Sequence, residues 1–343
     1  MRRLFLLLPL MACCFLGSSA LGGGQSKIQL TTWTTADGLP SNKVMSVAVQ
    51  ADAVWIGTDR GLVRMNRGDG TIAAPVAGLP HRVVTALAVD GRTSDLWAGT
   101  LAGLARVSAG RVDVFDQRTS GLSNNVVYGV VSREDSVWIA TAAGLSRYQP
   151  WADQWSIFDT ENNLMHEPWI YSVAASPEGV YAGIWGGGVV QWEAATGRFR
   201  EHRDPDGEME IDLFRNDGLV HDVVSAVAVD GPILWAGTYF GLSRYDGRAW
   251  MSYSASDSGL AGDFINDLAA GGGVVWIATD QGISRFDGKE WRTWRESEGL
   301  PSNTVYDVAM AKDGSVWMAT AAGLCRAAPV GPPSLAKTTQ VRP

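Results

Sequence analysis

The chain has 343 residues, with 28 basic and 36 acidic side chains and a formal net charge of −8. That acidic balance, without any basic run, argues against a nucleic-acid partner. Gly and Trp are abundant, at 40 and 15, as suits an all-β chain with tight turns and bulky wedges between sheets, and three Cys are too few for a disulfide framework.

Residues 1–20 have the form of an export signal. Arg2 and Arg3 precede an apolar run over 4–16, and Ser18-Ser19-Ala20 supply small residues where a signal peptidase would cut. The run is too short to span a bilayer, and no later run reaches spanning length. Leu10-Met11-Ala12-Cys13 also resembles a bacterial lipoprotein box, which would make Cys13 a lipid anchor, although Phe15-Leu16 continue the apolar run past it. Removal of 1–20 takes away two Arg and no acid, moving the formal charge from −8 to −10. Cys13 and Cys14 leave with it, so Cys325 stands alone without an internal disulfide, despite the oxidising periplasmic or extracellular destination. Residues 21–27 read as a linker.

From residue 28 onward one phrase recurs. Its first full copy is Val54-Trp55-Ile56-Gly57-Thr58-Asp59-Arg60-Gly61-Leu62-Val63-Arg64: strand, tight turn, strand. Further copies lead with Trp97, Trp138, Trp235, Trp276 and Trp317 and end on Arg106, Arg147, Arg244, Arg285 and Arg326; Tyr181-Ala182-Gly183-Ile184 is a degenerate one. The lead residues are spaced by 42, 41, 43, 54, 41 and 41. A period near 40–45 with four strands per unit is the signature of a propeller. In the first unit, 44–49 reads as the innermost strand, followed by 53–58, 62–66 and an outermost strand at 71–76. The runs are apolar almost without alternation, as expected where neighbouring sheets cover both faces. Phrases beginning Gly38-Leu39, Gly121-Leu122 and Gly299-Leu300 carry the chain from one outermost strand to the next innermost one.

The stretch 28–34 matches the outermost phrase at 290–294, whereas the last unit supplies only three strands before Ala327. The N-terminal strand is therefore expected to complete the last sheet and remove an exposed edge. The expected fold is all-β: a seven-bladed β-propeller of four-stranded antiparallel blades over 28–327, with 328–343 as a disordered Pro-rich tail.

Gly-Leu-Pro-Ser-Asn at 38–42 and 299–303, an apolar strand, and then Val-Trp-Ile-Gly-Thr-x-x-Gly-Leu-x-Arg are similar to the two-component regulator propeller repeat. The resemblance covers about residues 28–327. It implies the fold and points to the exported sensor part of bacterial signalling proteins, often hybrid histidine kinases that respond to polysaccharide breakdown products. This chain departs from that pattern in having no second propeller, membrane span or kinase. Signalling thus carries over more weakly than fold.

The repeats provide an internal control: what recurs in every blade is scaffold, and what breaks the pattern is a candidate site. By that test the Trp and Arg columns are scaffold. The two free positions of each Thr-x-x-Gly turn and the outer-to-inner connections share one face, around the mouth of the central channel, and they vary. Blades four and five are richest, and blade four is the least regular. Aromatic rings beside carboxylates and imidazoles suit a small glycan or peptide, because rings cover apolar sugar faces while polar groups take hydroxyls. The expected ligand-binding residues are Trp185, Tyr239, Phe240, His166, Glu167, His221, Asp59, Arg60 and Asp280. A partner protein docking at this mouth is the other form of the same expectation.

No cofactor, metal or catalytic residue is assigned. Nucleophile-elbow, His-Glu-x-x-His and Cys-pair motifs do not occur. Asp267 and Asp307 face the axis but are few for calcium, and Asp204-x-Asp206-Gly207 lacks the later ligands of a calcium loop. The competing expectation is a carbohydrate-active lyase or hydrolase using His166, Glu167 and His221.

Overall fold

The computed structural model describes residues 28–161, 165–205 and 216–329; the expected export signal, the linker, Cys13, most of the tail and most of the acidic insertion after Asp204 lie outside them. The apolar runs pair into seven antiparallel sheets, each running from an innermost to an outermost strand. The innermost strands are Val44–Val49, Val84–Val89, Val127–Arg133, Ile170–Ser176, Val224–Asp230, Ile265–Gly271 and Val305–Met310, and they number the blades. Each packs on the next, and the last packs on the first, so the ring is closed.

Closure comes from the expected N-terminal strand. Ile28–Trp33 forms the outer edge of blade 7, antiparallel to Gly323–Pro329, in register from Ile28↔Pro329 to Trp33↔Leu324. The final strand thus extends past the expected limit at 327. Blade 1 departs from its expected form: its sheet has three strands, and 71–76 joins through the single bridge Met65↔Ile72. The backbone of Ala73 donates to Arg64 (2.8 Å) and that of Val76 to Leu62 (2.9 Å). Pro75 between them has no N–H, which prevents a regular ladder. The segment is an extended cover rather than a fourth strand.

The repeated residues build the wheel. Trp97, Trp138 and Trp317 are almost wholly buried between sheets. Their cross-strand neighbours are Arg106, Arg147 and Arg326, whose guanidinium groups lie 5.8, 5.4 and 5.4 Å over the ring centres. A weakly hydrated cation on an indole face covers the ring while staying in reach of water. The Thr of the turn is equally structural. In blade 1 the Thr58 hydroxyl donates to the Gly61 carbonyl (2.9 Å) and accepts from the Arg60 backbone (3.0 Å), and Thr100, Thr141, Thr238, Thr279 and Thr320 repeat the clamp.

The face opposite the mouth is stapled between several blades by a residue at or just past the end of an innermost strand. Gln50 donates to the Ser94 carbonyl (2.8 Å), Arg133 to that of Ser176 (2.7 Å), and Asp230 accepts from the Gly273 backbone (2.6 Å). Blade 6 has Gly271 at that place. Between blades 6 and 7 a cleft of about 530 Å³ opens over Trp276 and Val316.

Cys325 is buried and free, and burial pushes its thiol up to about 11. No helix among the described residues is long and apolar enough to cross a membrane.

Candidate functional site

A recurring backbone bond brings the variable positions together. The first free residue of the turn donates its N–H to the residue just before the innermost strand: Asp59 to Lys43, Ala142 to Val126, Trp185 to Trp169, Asp280 to Phe264 and Ala321 to Thr304, at 3.0–3.4 Å. Turn and connection therefore form one rim around the mouth.

Inside the rim lies a cavity of about 520 Å³ along the axis. Its upper wall comes from a column that the sequence did not flag. Every innermost strand carries a β-bulge near its start, where one residue is skipped in the pairing: Met45, Thr85, Tyr128, Tyr171, Ser225, Asn266 and Tyr306. A bulge re-aims a side chain, and all seven of these residues line the cavity. The polar members are occupied. Thr85 donates to the Val127 carbonyl (2.6 Å), Ser225 to that of Ile265 (2.5 Å) and Asn266 to that of Val305 (2.8 Å), each stapling the next blade.

The rings form a continuous arc over four blades. Tyr128 stacks on Tyr171 (4.8 Å), Tyr171 meets Trp185 (5.4 Å), Trp185 meets Tyr239 edge-on (5.1 Å) and Tyr239 packs on Phe264 (4.0 Å). Trp169 adds an outer ring 6.5 Å from Trp185. Burial raises the Tyr171 and Tyr239 phenols above their ordinary value, so both stay protonated at neutral pH. Trp169 is 49%, Phe240 44% and Phe264 37% exposed, an apolar rim that a folded chain does not need for its core.

Trp185 and Tyr239 thus lie in the arc. Phe240 stands beside it, its exposed ring 4.4 Å from His221, which is buried and accepts from the Val223 backbone through Nδ1 (2.9 Å). His166 turns to the outer strand of blade 4, with Nε2 3.2 Å from Glu201 Oε1. Glu167 is exposed beside the Gly186 turn. These three residues keep separate neighbours, and none lines the cavity. Arg60 is exposed on the blade 1 turn, Asp59 Oδ1 is buried there without a hydrogen-bond partner, and Asp280 accepts from Gln281 (3.4 Å).

The irregular turn of blade 4 has a local cause. Ile184 replaces the clamping Thr, and the turn closes one residue later, at Ile184↔Gly188. Gly186 and Gly188 take φ of 73° and 70°, and a Cβ on Gly188 would lie 2.3 Å from the His202 carbonyl. Glycine is required there, and the longer turn carries Trp185.

Asp267 and Asp307 also line the cavity, half-buried on adjacent innermost strands. Each accepts a backbone N–H from the following blade, Asp267 from Val308 (2.9 Å) and Asp307 from Val47 (2.8 Å), and the two carboxyls bond each other. Burial raises both above the ordinary value, Asp267 the more strongly because the Asp307 charge adjoins it. A raised folded-state value stabilises fully below the unfolded one, near pH 4, and that contribution disappears as pH rises through the folded one. Asp267→Asn keeps an acceptor for Val308 and removes the like charge. Its melting temperature is expected to exceed that of the wild type by a margin that widens between pH 5 and pH 8 to about 2–4 °C. A margin independent of pH in paired calorimetric scans would contradict the shared proton.

No group of three or more His, Cys, Asp or Glu arranged to hold a metal ion occurs among the described residues.

Residues 299–322 match the family model described as two component regulator propeller. None of the curated proteins matches the chain in sequence. Among solved structures, the fold is similar to the extracellular domain of a protein assigned as a hybrid two component system of B. thetaiotaomicron (15% identity, TM-score 0.72, 89% of this chain). It is also similar to that of a protein assigned as a one component system of the same organism (18%, 0.66, 87%). The chain spans 42% and 39% of the length of those two domains. Streptogramin B lyase matches over 88% of this chain and 97% of its own, at 14% identity and a TM-score of 0.70. At these identities the likeness is one of fold. The segment that matches the two component regulator propeller model, residues 299–322, has counterparts in phase around the seven-bladed ring.

Proposed function

We propose that this chain is an exported, non-catalytic propeller that binds a small glycan or peptide at the channel mouth, in a sensing or protein-docking role. The observation that carries this reading is the unbroken arc of rings from Tyr128 to Phe264 beside an open cavity. A concave, largely apolar surface with a few polar groups is the usual form of a ligand site. Export is supported by the signal-like residues 1–20, and sensing by likeness to extracellular domains assigned to one and two component systems. The lyase or hydrolase alternative has less support, because His166 pairs with Glu201 while His221 packs on Phe240.

The test is a titration of tryptophan fluorescence with cello-oligosaccharides, chito-oligosaccharides and tyrosine-containing tetrapeptides. At least one class is expected to shift the emission of the wild type. Tyr239→Ala is expected to weaken that response tenfold or more, with melting altered by no more than about 3 °C, because Tyr239 is part-exposed at the mouth. Equal responses in wild type and variant would place the binding elsewhere.

A further inference from the structure

The cavity has a definite chemical character. Asp267 and Asp307 are its only lining carboxyl groups; no Lys or Arg lines it. Its small polar side chains are already bonded, since Thr85, Ser225 and Asn266 donate to carbonyls of the next blade and Ser172 Oγ accepts from the Val227 backbone (3.0 Å). The tyrosine hydroxyls and the carboxyl pair are the polar groups that remain to face a ligand. The aromatic members of the wall are Tyr128, Tyr171, Tyr239, Phe264 and Tyr306. Aromatic faces carry negative potential, and several rings around one carboxyl pair form an environment that attracts a cation and repels an anion. The rim already shows one such contact: Lys43 Nζ lies 5.4 Å over the Tyr306 ring.

We infer that the group entering the channel is an organic cation, an alkylammonium or quaternary ammonium, seated among these rings beside Asp267 and Asp307. The inference rests on the mouth being the ligand site proposed above, and it names the ligand's chemistry. An amino sugar and the amine of a peptide would both present such a group. A bare metal ion fits less well, because two carboxyls each already accept a backbone N–H and the rest of the wall is mostly apolar.

The experiment uses matched pairs on the intact protein: the glucosamine trimer against the N-acetylglucosamine trimer, and Gly-Lys-Gly against the same peptide acetylated at Nε and at its N-terminus. Isothermal titration is expected to show the charged member of at least one pair binding tenfold or more tightly than its acetylated partner, and which pair responds identifies the source of the amine. Asp267→Asn combined with Asp307→Asn is expected to remove most of that preference, and Tyr171→Leu to weaken the charged ligand without strengthening the neutral one. Equal binding within both pairs, lost in Tyr239→Ala, would overturn the cation while leaving the mouth as the ligand site. Absence of Tyr239-dependent binding by all four probes overturns the cation too; cello-oligosaccharide or tyrosyl-peptide binding that Tyr239→Ala abolishes would then still uphold the mouth. Should the doubly substituted chain not fold, the paired titrations on wild type decide the matter alone.

Discussion

A chain lacking residues 28–34 is expected to lose on the order of 5 kcal/mol of stability and to melt about 10 °C or more below the full propeller. The six residues of Ile28–Trp33 do more than fill an edge. Alternation along the strand sends Ile28 and Leu30 to the cluster between blades 6 and 7, with Trp276, Val316 and Cys325, while Trp33 packs on the cluster between blades 7 and 1. Trp33 stacks on Trp317 at 5.3 Å. Removing the strand exposes both interfaces and the outer edge of Gly323–Pro329, and it unlocks the pairing of the first and last described strands. Circular-dichroism melts and limited proteolysis of the shortened chain measure the effect. Melting within about 2 °C of the full chain would show that the ring closes without it.

The second large effect separates scaffold from site within one residue type. Trp138→Ala is expected to cost about 3–5 kcal/mol, because it empties a space between blades 3 and 4 that is sealed by neighbours on all sides. Trp138 is 1% exposed, stacks on Phe158 at 5.6 Å and meets Trp192 at 5.0 Å. Arg147 lies 5.4 Å from both indoles and would lose one of them. Trp185→Ala, in the irregular turn of blade 4, is expected to leave melting within about 3 °C, since its ring faces Tyr171 and Tyr239 at the mouth rather than an inter-blade core. Urea denaturation of the two variants side by side gives the comparison. If Trp185→Ala is the more damaging, the arc belongs to the scaffold.

The contrast shows which features of the chain were legible from sequence. A Trp that recurs at steps of 41 or 42 residues must occupy equivalent environments, so repetition identified it as a wedge and, with Tyr181 in its place once, gave the blade count. Ring closure was equally legible, because the last unit lacks a strand and residues 28–34 resemble the missing one. Blade 1 was less so: the apolar character of 71–76 suggested a strand, yet the ladder depends on N–H groups, and Pro75 has none to give. The Arg column was expected to be scaffold. It lies mainly on the Trp of its own blade, because the hairpin register sets each Arg directly opposite that Trp.

The site was legible only in part. Trp185 and Tyr239 stood out because they interrupt the repeat, and both fall in the arc. His166, Glu167 and His221 stood out for their chemistry, but side-chain direction separates them. Tyr128, Tyr171, Phe264 and Tyr306 gave no signal, since an aromatic residue in or beside a continuous apolar run looks like core.

The sequence by itself determined the wheel: seven in-phase repeats, the Thr-x-x-Gly clamp, the Trp wedges and the strand that closes the ring. Each is a local pattern or a pairing between recurring patterns, and periodicity exposes such things. Only the tertiary structure decided what faces the axis. A single extra residue near the start of every innermost strand turns one side chain into the channel, and closure of the ring brings seven distant bulges around one cavity. That placement follows from backbone pairing across each blade, a property that no run of side chains records.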